Sequence, residues 1–240
     1  MKLDILALVA HPDDVELSCS GILLSHIAQG KKAGIIDFTQ GELGTRGTPE
    51  IRLKEAEEAA KRMGLSAREN LGFADGFFKN DKEHQLELIR YIRKYQPEIV
   101  IANAPTDRHP DHGRASQLTL DACFLSGLRK VSTELDGQEQ QAWRPKQIYH
   151  FIQSTYLEPD FIVDVSDFWD QKVKAIEAFE SQFHVNKAGA NGPQTFISTP
   201  EFMEFIAARA RSWGQAIGVK YGEGLIAHQK IGIQNLFDII

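Results

Sequence analysis

The sequence predicts an α/β fold, in which a mainly parallel β-sheet has helices on both faces. Apolar runs of strand length alternate with segments of helical length through residues 1–130, which is the pattern of successive βαβ units. Hydrophobic residues make up 42% of the chain and charged residues 25%, as in ordinary globular proteins. Because no repeat, low-complexity tract or linker divides the 240 residues, we expect a single domain over 1–240. Residues 1–130 would be its regular half, and 131–240 a less regular extension of the same domain.

The elements of the first half follow from apolar runs and from start and stop residues. The run from Leu3 to Ala10 predicts a buried strand, since parallel strands are apolar on both faces. Pro49 and Gly64 mark the start and end of a helix, where these residue types are favoured. In chain order the predicted strands are Leu3–Ala10, Ala33–Thr39, Glu69–Phe73 and Glu98–Ala104, and the predicted helices are Val15–Gln29, Pro49–Met63, Asp81–Tyr95 and His112–Leu128.

The second half has fewer regular segments. Strands are predicted at Gln147–Tyr156 and Phe161–Val165, and helices at Asp167–Phe179 and Pro200–Ala216. Gly, Asn and Pro between His184 and Pro193 indicate a loop. We expect this part of the chain to cover and extend the sheet.

Charge and cysteine content limit the classes of partner. The formal net charge is −6 and no Lys/Arg-rich run occurs, which argues against a nucleic-acid or anionic-membrane surface. No apolar stretch reaches the ~20 residues of a membrane span. Cys19 and Cys123 fall in predicted helices, so we expect buried thiols rather than a disulfide framework. These features favour a cytoplasmic protein whose partner is a small molecule.

Two clusters of His and Asp lie at the ends of predicted strands. The segment His11–Asp14 follows the first strand, and the segment Asp107–His112 follows the fourth. In a doubly wound sheet of order 3-2-1-4, strands 1 and 4 are neighbours and the chain turns to opposite sides after them. Ligands bind at the carboxyl ends of such strands. The expected topology therefore brings both clusters into one site.

The residue types of these clusters predict a metal site. His11, Asp14 and His112 form a two-His, one-carboxylate set, which can hold a catalytic Zn²⁺ and leave one position for water. Asp13 is then left beside the bound water, where a general base is needed. We expect one ion per chain, and Fe²⁺ suits the same ligands.

His109 and Asp111 complete the expected site. His109 could be a further ligand, but with three ligands assigned we interpret it as the group that stabilises the oxyanion of a tetrahedral intermediate. Asp111 is placed to orient that imidazole and to favour its charged form. The plain alternative for each cluster is a turn or a helix cap. This alternative is less favoured for two clusters that follow neighbouring strands than for one cluster alone.

Two other classes of function fit parts of this pattern. A metal-dependent phosphoesterase also places Asp and His at strand ends, but it normally has carboxylates for a second ion at ~3.5–4 Å. A nucleotide- or sugar-binding module is the non-catalytic alternative, although no Gly-x-Gly-x-x-Gly follows the first strand. One bound ion per chain would argue against the phosphoesterase, and turnover of a substrate would exclude the binding module.

The segments Ala10–Glu16 and Pro110–His112 resemble motifs of the zinc-dependent de-N-acetylases that act on N-acetylglucosamine conjugates. That family includes the phosphatidylinositol-linked glucosamine deacetylases and the deacetylases of mycothiol and bacillithiol synthesis. The resemblance extends through Thr39–Gly47 and Leu71–Gly76 and covers most of the chain. The Gly-Glu-Leu-Gly-Thr-Arg-Gly loop and Ser181–Phe183 are most similar to the bacillithiol-pathway deacetylase.

The resemblance implies a Rossmann-like fold and a role for each matching residue. His11, Asp14 and His112 would bind zinc. Asp13 would be the general base for attack by a zinc-bound water, and His109 would stabilise the oxyanion. The implied reaction releases acetate from the sugar amide.

The substrate residues are implied by the resemblance alone. Arg52 and Asp75 match positions that hold the sugar in relatives, although by itself Arg52 is an ordinary charge on a helix surface. The implied substrate is N-acetylglucosaminyl-malate, whose carboxylates Arg46, Arg108 or Lys187 could meet. Another N-acetylglucosamine conjugate or a chitooligosaccharide is the alternative. Relatives often form hexamers, so a homo-oligomer is expected.

Overall fold

Nine strands and seven α-helices occur in the part of the chain that the computed structural model describes, residues 1–183 and 194–240. The strands are β1 (Ile5–Val9), β2 (Ala33–Thr39), β3 (Ala67–Phe73), β4 (Ile99–Ala102), β5 (Glu134–Leu135), β6 (Gln138–Glu139), β7 (Gln147–Phe151), β8 (Phe161–Asp164) and β9 (Gly222–Ala227). The helices are α1 (Asp14–Ser18), α2 (Ser20–Ala28), α3 (Pro49–Met63), α4 (Lys82–Tyr95), α5 (Pro110–Ser126), α6 (Trp169–Ile176) and α7 (Pro200–Ala216). The loop predicted between His184 and Pro193 lies outside the described residues.

Over those residues, seven of the strands form one sheet in the order β3-β2-β1-β4-β7-β9-β8. β1 is parallel to both β2 and β4, β2 is parallel to β3, and β4 is parallel to β7. β9 is antiparallel to both β7 and β8. The predicted mainly parallel sheet and the order 3-2-1-4 of its first four strands are confirmed.

Apolar cores lie on both faces of the sheet. Successive side chains of β1 alternate between them, with Ile5, Ala7 and Val9 in one core and Leu6 and Leu8 in the other. Residues of α2, α3, α6 and α7 belong to the first core, and residues of α4 and α5 to the second. The helices that follow β1 and β4 therefore cover opposite faces, as a topological switch point requires.

The helix predicted over Val15–Gln29 is two helices, α1 and α2. The break is at Cys19, whose φ is −141° and ψ 16°. Its physical reason is a buried carboxylate from the far end of the chain. Glu223 of β9 accepts the backbone N–H groups of Gly21 and Ile22 at 3.1 and 2.7 Å, which caps a new helix start.

The second cluster begins a helix earlier than predicted. α5 starts at Pro110 rather than at His112, with His109 as its N-cap. Proline is favoured at this first position because its missing N–H would have no partner there. Part of the predicted loop cluster therefore lies in a first helical turn, and so does Asp14 at the start of α1.

β9 and the β5–β6 hairpin were not predicted. β9 contains two glycines, which are depleted in strands, yet it lies between β7 and β8. A Cβ at Gly222 would lie 2.5 Å from Ile162 Cγ2, and one at Gly224 would lie 2.8 Å from Pro159 Cβ. Glycine is present because its neighbours pack too closely for a side chain. The strand predicted to reach Tyr156 ends at Phe151.

The last residues of the chain form an apolar tail, residues 231–240. Ile233, Leu236, Phe237 and Ile240 are exposed by 53%, 80%, 95% and 75%. Four large apolar side chains within eight residues are thus exposed, whereas only single, scattered exposed apolar residues need no explanation.

Both cysteines are free and buried, as predicted. In the described ranges, no helix is long and apolar enough to cross a membrane.

Candidate active site

A cavity of about 350 Å³ lies at the carboxyl ends of β1 and β4. His11, Asp13 and Asp14 line it from the β1 side, and His109 and His112 line it from the β4 side. The volume is within the range of small-molecule sites, roughly 300–1,000 Å³. The two clusters therefore meet, as the predicted topology required.

Asp14 is the central carboxylate of this site. Its Oδ2 accepts the backbone N–H of His11 at 3.0 Å and Asn103 Nδ2 at 2.9 Å. Its Oδ1 accepts Gln153 Nε2 at 2.7 Å. The same two oxygens lie 3.5 Å from His11 Nδ1 and 3.3 Å from His112 Nε2. Three N–H donors thus hold the carboxylate between two imidazoles.

Other carboxylates hold the far nitrogen of each imidazole. Asp107 Oδ2 lies 2.5 Å from His112 Nδ1. His11 Nε2 lies 3.1 Å from Asp75 Oδ1 and 3.4 Å from Asp111 Oδ2. Metal-binding histidines commonly have their second nitrogen on a carboxylate in this way, which fixes the ring orientation. The remaining nitrogen of each ring, His11 Nδ1 or His112 Nε2, faces the carboxylate of Asp14.

The carboxylates favour positive charge at this point. Burial lowers the pKa of His112, but the neighbouring Asp14 and the bond to Asp107 outweigh it and raise the pKa to about 9. Burial also opposes charge on His11, yet its bonds to Asp111 and Asp14 raise its pKa well above the usual value. The pKa of Asp14 lies well below its usual range despite burial, because of the two imidazoles. The carboxylates around the two imidazoles thus make the site favourable for positive charge, and a divalent cation carries such charge.

The predicted ligand set therefore fits a metal ion by its donor chemistry. The described residues contain two groups whose ligand atoms all lie within 4.8 Å of one another, namely His11/His109/His112 and His11/Asp75/Asp111. The first contains both predicted histidine ligands, and neither group contains Asp14.

Asp13 is the N-cap residue of α1 and has an unusual backbone. Its φ is 111° and its ψ −21°, a region that residues with a side chain rarely adopt. Its Oδ2 lies 3.2 Å from Arg52 Nη2, which also donates to the carbonyl oxygen of Pro12 at 2.6 Å. Burial raises the pKa of Asp13 to about 7, although the Arg52 guanidinium opposes the rise.

The two expected substrate residues are held by protein groups in this structure. Arg52 is 5% exposed and shares a buried stripe of α3 with Ala56, Ala59 and Met63, so the interpretation as a surface charge is wrong. Asp75 accepts the backbone N–H of Leu43 at 3.0 Å through the oxygen that does not contact His11. Both side chains line the cavity.

The expectation for Asp111 needs a correction. Its carboxylate accepts the N–H of Gly76 at 2.7 Å and pairs with Arg114, and within the described residues its hydrogen bonds do not include the His109 ring. The contact to His109 is through the backbone instead, since His109 Nδ1 accepts the Asp111 N–H at 3.3 Å. The pKa of His109 is lowered by burial and by the nearby His11, so its neutral form is favoured rather than its charged form.

Sequence reasoning missed two side chains that hold the ligands, Asn103 and Gln153, and it gave no role to Asp107, the first residue of the second cluster. Asn103 directly follows β4, and Gln153 lies two residues after β7, the next strand in the sheet. The signal that could have found them is their position just beyond strand ends at the same edge as the clusters.

Exposed apolar side chains line part of the cavity. Leu43, Phe196 and Phe205 line it and are exposed by 62%, 53% and 49%. The Arg108 guanidinium lies 4.8 Å from the centre of the Phe196 ring and also lines the cavity. Of the other two expected cations, Arg46 is described but is not among the residues that line this cavity, and Lys187 lies outside the described residues.

Comparison with known proteins places this geometry in a family. A family model described as PIG-L: GlcNAc-PI de-N-acetylase matches residues 6–123. A conserved protein of Thermus thermophilus has 37% sequence identity and a TM-score of 0.85, with 98% of each chain covered. The N,N′-diacetylchitobiose deacetylase of Pyrococcus horikoshii has 28% identity and a TM-score of 0.77, over 93% of this chain and 82% of its own. A probable N-acetyl-alpha-D-glucosaminyl L-malate deacetylase of Bacillus cereus is 25% identical over 76% of this chain and 84% of its own.

The matched residues 6–123 contain both clusters and the strands that bring them together. The expected special similarity to the bacillithiol-pathway enzyme is not confirmed, since the diacetylchitobiose deacetylase is 28% identical over 93% of this chain and the malate deacetylase is 25% identical over 76%. The fold, the matched segment and the relatives agree. This chain belongs to the PIG-L family of GlcNAc-PI de-N-acetylases.

Proposed function

We propose that this protein is a metal-dependent hydrolase that removes the acetyl group from an N-acetylglucosamine conjugate. The observation behind this proposal is a His–Asp–His donor set with a further carboxylate, Asp13, beside it in one cavity. Membership of the de-N-acetylase family supports the same reaction. We propose one Zn²⁺ per chain, and Fe²⁺ has similar donor preferences.

His11, Asp14 and His112 would hold the ion. Once bound, the ion would polarise the acetyl carbonyl and lower the pKa of a water molecule. The chain supplies a fixed donor set for it, because Asn103 and Gln153 hold the two oxygens of Asp14. Donors that are held in place before binding lose little freedom when the ion arrives.

Asp13 would accept the proton of the attacking water. It is next to the ligand Asp14 in the chain, is 5% exposed and lines the cavity. The water oxygen bonds to the acetyl carbon, the C–N bond then breaks, and the proton taken by Asp13 passes to the departing amine. Acetate and a free amine result, and no acyl-enzyme is required.

His109 would stabilise the oxyanion as a neutral imidazole. Because its Nδ1 accepts the Asp111 N–H, the ring proton of its neutral form must be on Nε2. His109 lines the cavity, so this Nε2–H is the donor that it can offer to a developing oxyanion. Asp111 contributes by holding the imidazole acceptor through its backbone rather than through its carboxylate.

The substrate that we propose in particular is N-acetylglucosaminyl-malate. The Bacillus cereus relative bears that activity in its name, and Arg108 is a cation at the mouth that can pair with a carboxylate of the aglycone. Asp75 can accept a sugar hydroxyl as well as its present partners, since a carboxylate oxygen has two lone pairs. The diacetylchitobiose deacetylase supports a chitooligosaccharide as the alternative.

The test is acetate release by purified protein of defined metal content. N-acetylglucosaminyl-malate, diacetylchitobiose, an inositol conjugate and free N-acetylglucosamine are compared at equal concentration. We expect metal-dependent release, with the malate conjugate turned over fastest. Absence of acetate with every substrate at full metal loading would refute the deacetylase, and preference for another conjugate would refute the malate assignment alone.

Two variants with matched controls separate the roles within the site. Asp13→Asn should keep its metal and lose nearly all turnover, whereas Asp81→Asn, at the exposed N-cap of α4, should keep both. His11→Ala should lose metal, whereas His26→Ala on α2 should not. Two ions per chain together with phosphate-ester cleavage would favour the phosphoesterase instead.

A further inference from the structure

We propose that Arg209 of α7 is a positioning residue, which anchors the loop of residues 153–155 and through it the groups that would bind the metal. This role rests on the metal site proposed above. Arg209 is not among the residues that line the active-site cavity, so it would act through the loop and not by contact with the ion or the substrate. The role is supported by the hydrogen bonds of the loop, by the contacts of Arg209 and by the packing of α7.

The 153–155 loop is bonded toward two of the proposed ligands. Gln153 Nε2 donates to Asp14 Oδ1 at 2.7 Å. The backbone N–H groups of the next two residues donate to Asp107 Oδ1 at 3.1 and 2.6 Å. The other oxygen of Asp107 lies 2.5 Å from His112 Nδ1. One short segment therefore holds the central carboxylate directly and one imidazole through Asp107.

This loop has little support from the sheet. It begins two residues after Phe151, the last residue of β7. In the described part of the chain, its hydrogen bonds go to Asp14 and Asp107 on the side of the site and to Arg209 on the other side. Bonds to the site alone would let the loop move together with the groups that it holds. An attachment outside the site is therefore what fixes their position.

Arg209 has the contacts that such an attachment needs. Its Nη1 donates to the backbone carbonyl oxygen of Gln153. Its guanidinium lies 5.3 Å from the centre of the ring of Trp213, which is 5% exposed. Burial lowers the pKa of Arg209 to about 10, although the carboxylates of Glu223 and Asp107 oppose the fall. The side chain is therefore a cationic donor at neutral pH, and a guanidinium already held by packing loses little further freedom when it donates.

The helix that carries Arg209 is itself firmly packed. Phe202, Ile206 and Ala210 recur at intervals of four residues along α7, belong to the apolar core and are at most 7% exposed. Arg209 lies beside this stripe in the helix. Groups that are supported by packed helices are placed more precisely than groups on loops. A bond from α7 can therefore give the 153–155 loop a fixed position relative to the core.

The test is the zinc affinity of Arg209→Met in competition with a chelator. Arg211→Met is the matched control, because Arg211 is an exposed residue of the same helix whose guanidinium also lies on an aromatic ring, 4.6 Å from the centre of Tyr221. We expect about tenfold weaker zinc binding for Arg209→Met and a change within about twofold for the control. Arg209→Lys should recover part of the loss, since an ammonium can still donate to the Gln153 carbonyl. Wild-type affinity of Arg209→Met would overturn the role.

A second comparison separates positioning from support of the fold. In a Gln153→Ala background, Arg209→Met should weaken zinc binding by only about threefold, because the bond from the loop to Asp14 is already lost and the bonds to Asp107 remain. A full tenfold loss in that background would show that Arg209 acts by another route. A lower free energy of unfolding of metal-free Arg209→Met, with unchanged zinc affinity of the folded protein, would show a structural role alone. Either result would overturn the proposal.

If Arg209→Met does not fold, Arg209→Gln is the second variant. Its polar side chain is too short to reach the Gln153 carbonyl, so the same loss of affinity is expected, and wild-type affinity would contradict the role. The comparison needs no substrate, which separates it from the proposed reaction. Zinc binding by the wild-type protein without acetate release would refute the hydrolysis alone, whereas acetate release with equal zinc affinity in wild type and variant would refute the positioning role alone. Absence of zinc binding by the wild-type protein would refute both.

Discussion

The strain at Asp13 can be measured as a difference between two variants. Asp13→Gly and Asp13→Ala both remove the carboxylate and both leave Arg52 without that partner, so these costs cancel in the comparison. They differ in the backbone, because glycine adopts φ 111° without a Cβ clash and alanine does not. A positive φ costs a residue with a Cβ about 1–2 kcal/mol.

The greater freedom of glycine in the unfolded chain offsets roughly 0.5–1 kcal/mol of that difference. We therefore expect Asp13→Gly to be more stable than Asp13→Ala by about 1 kcal/mol, or about 2–4 °C in Tm for a chain of this length. Urea unfolding of metal-free protein in a chelator, with equal m-values, is the assay. Both variants should be inactive.

A control with the opposite sign is available on the surface of α3. Lys54 lies within a regular helix, so the Lys54→Gly variant should have a free energy of unfolding about 1 kcal/mol lower than that of Lys54→Ala. If Asp13→Ala proved as stable as Asp13→Gly while the Lys54 pair behaved as expected, the backbone at Asp13 would not be strained.

Three further predictions concern other parts of the molecule. Asp107→Ala should weaken metal binding by ~10–100-fold in competition with a chelator, because His112 loses the partner that orients it; unchanged affinity would contradict this. Lys172→Met should destabilise the fold by about 3–5 kcal/mol in urea, since it leaves the buried charge of Glu223 without its cation, and adding Glu223→Gln should recover part of the loss. The homo-oligomer expected from the sequence would use the exposed apolar tail as a contact between copies, so truncation after His228 should lower the number of subunits per particle measured by light scattering, and an unchanged number would refute this use of the tail.

The sequence was sufficient for the site where its chemistry is contiguous. His11–Asp14 and Asp107–His112 each fall beside an apolar strand, and strand alternation predicts that these strands are neighbours. Gln153 could not be found in this way, because it is 139 residues from the carboxylate that it holds and no local pattern joins them. The β9 strand was missed because close packing, rather than strand propensity, accounts for its glycines.

Arg52 shows a different limit of sequence reasoning. Its spacing from Ala56, Ala59 and Met63 places it on the buried stripe of α3, but a charged residue on a helix is by default assigned to the surface. The signal of burial in the sequence was therefore an arginine at the spacing of an otherwise apolar helical stripe. Its partner Asp13 could not be deduced, because the contact depends on a backbone conformation that residues with side chains seldom adopt.

The position of β9 has a consequence for biosynthesis. This strand lies between β7 and β8, yet it is the last of the three to be translated. Until residues 222–227 leave the ribosome, β7 and β8 lack their shared partner, and the N-terminus of α2 lacks the carboxylate that caps it. Strands far apart in the sequence pair slowly. The chain must first lose the entropy of the intervening loop, and only then do the contacts between the strands stabilise the pair. The nascent chain therefore presents unpaired strand edges until β9 is available, and a folding chaperone would have most to protect in that interval.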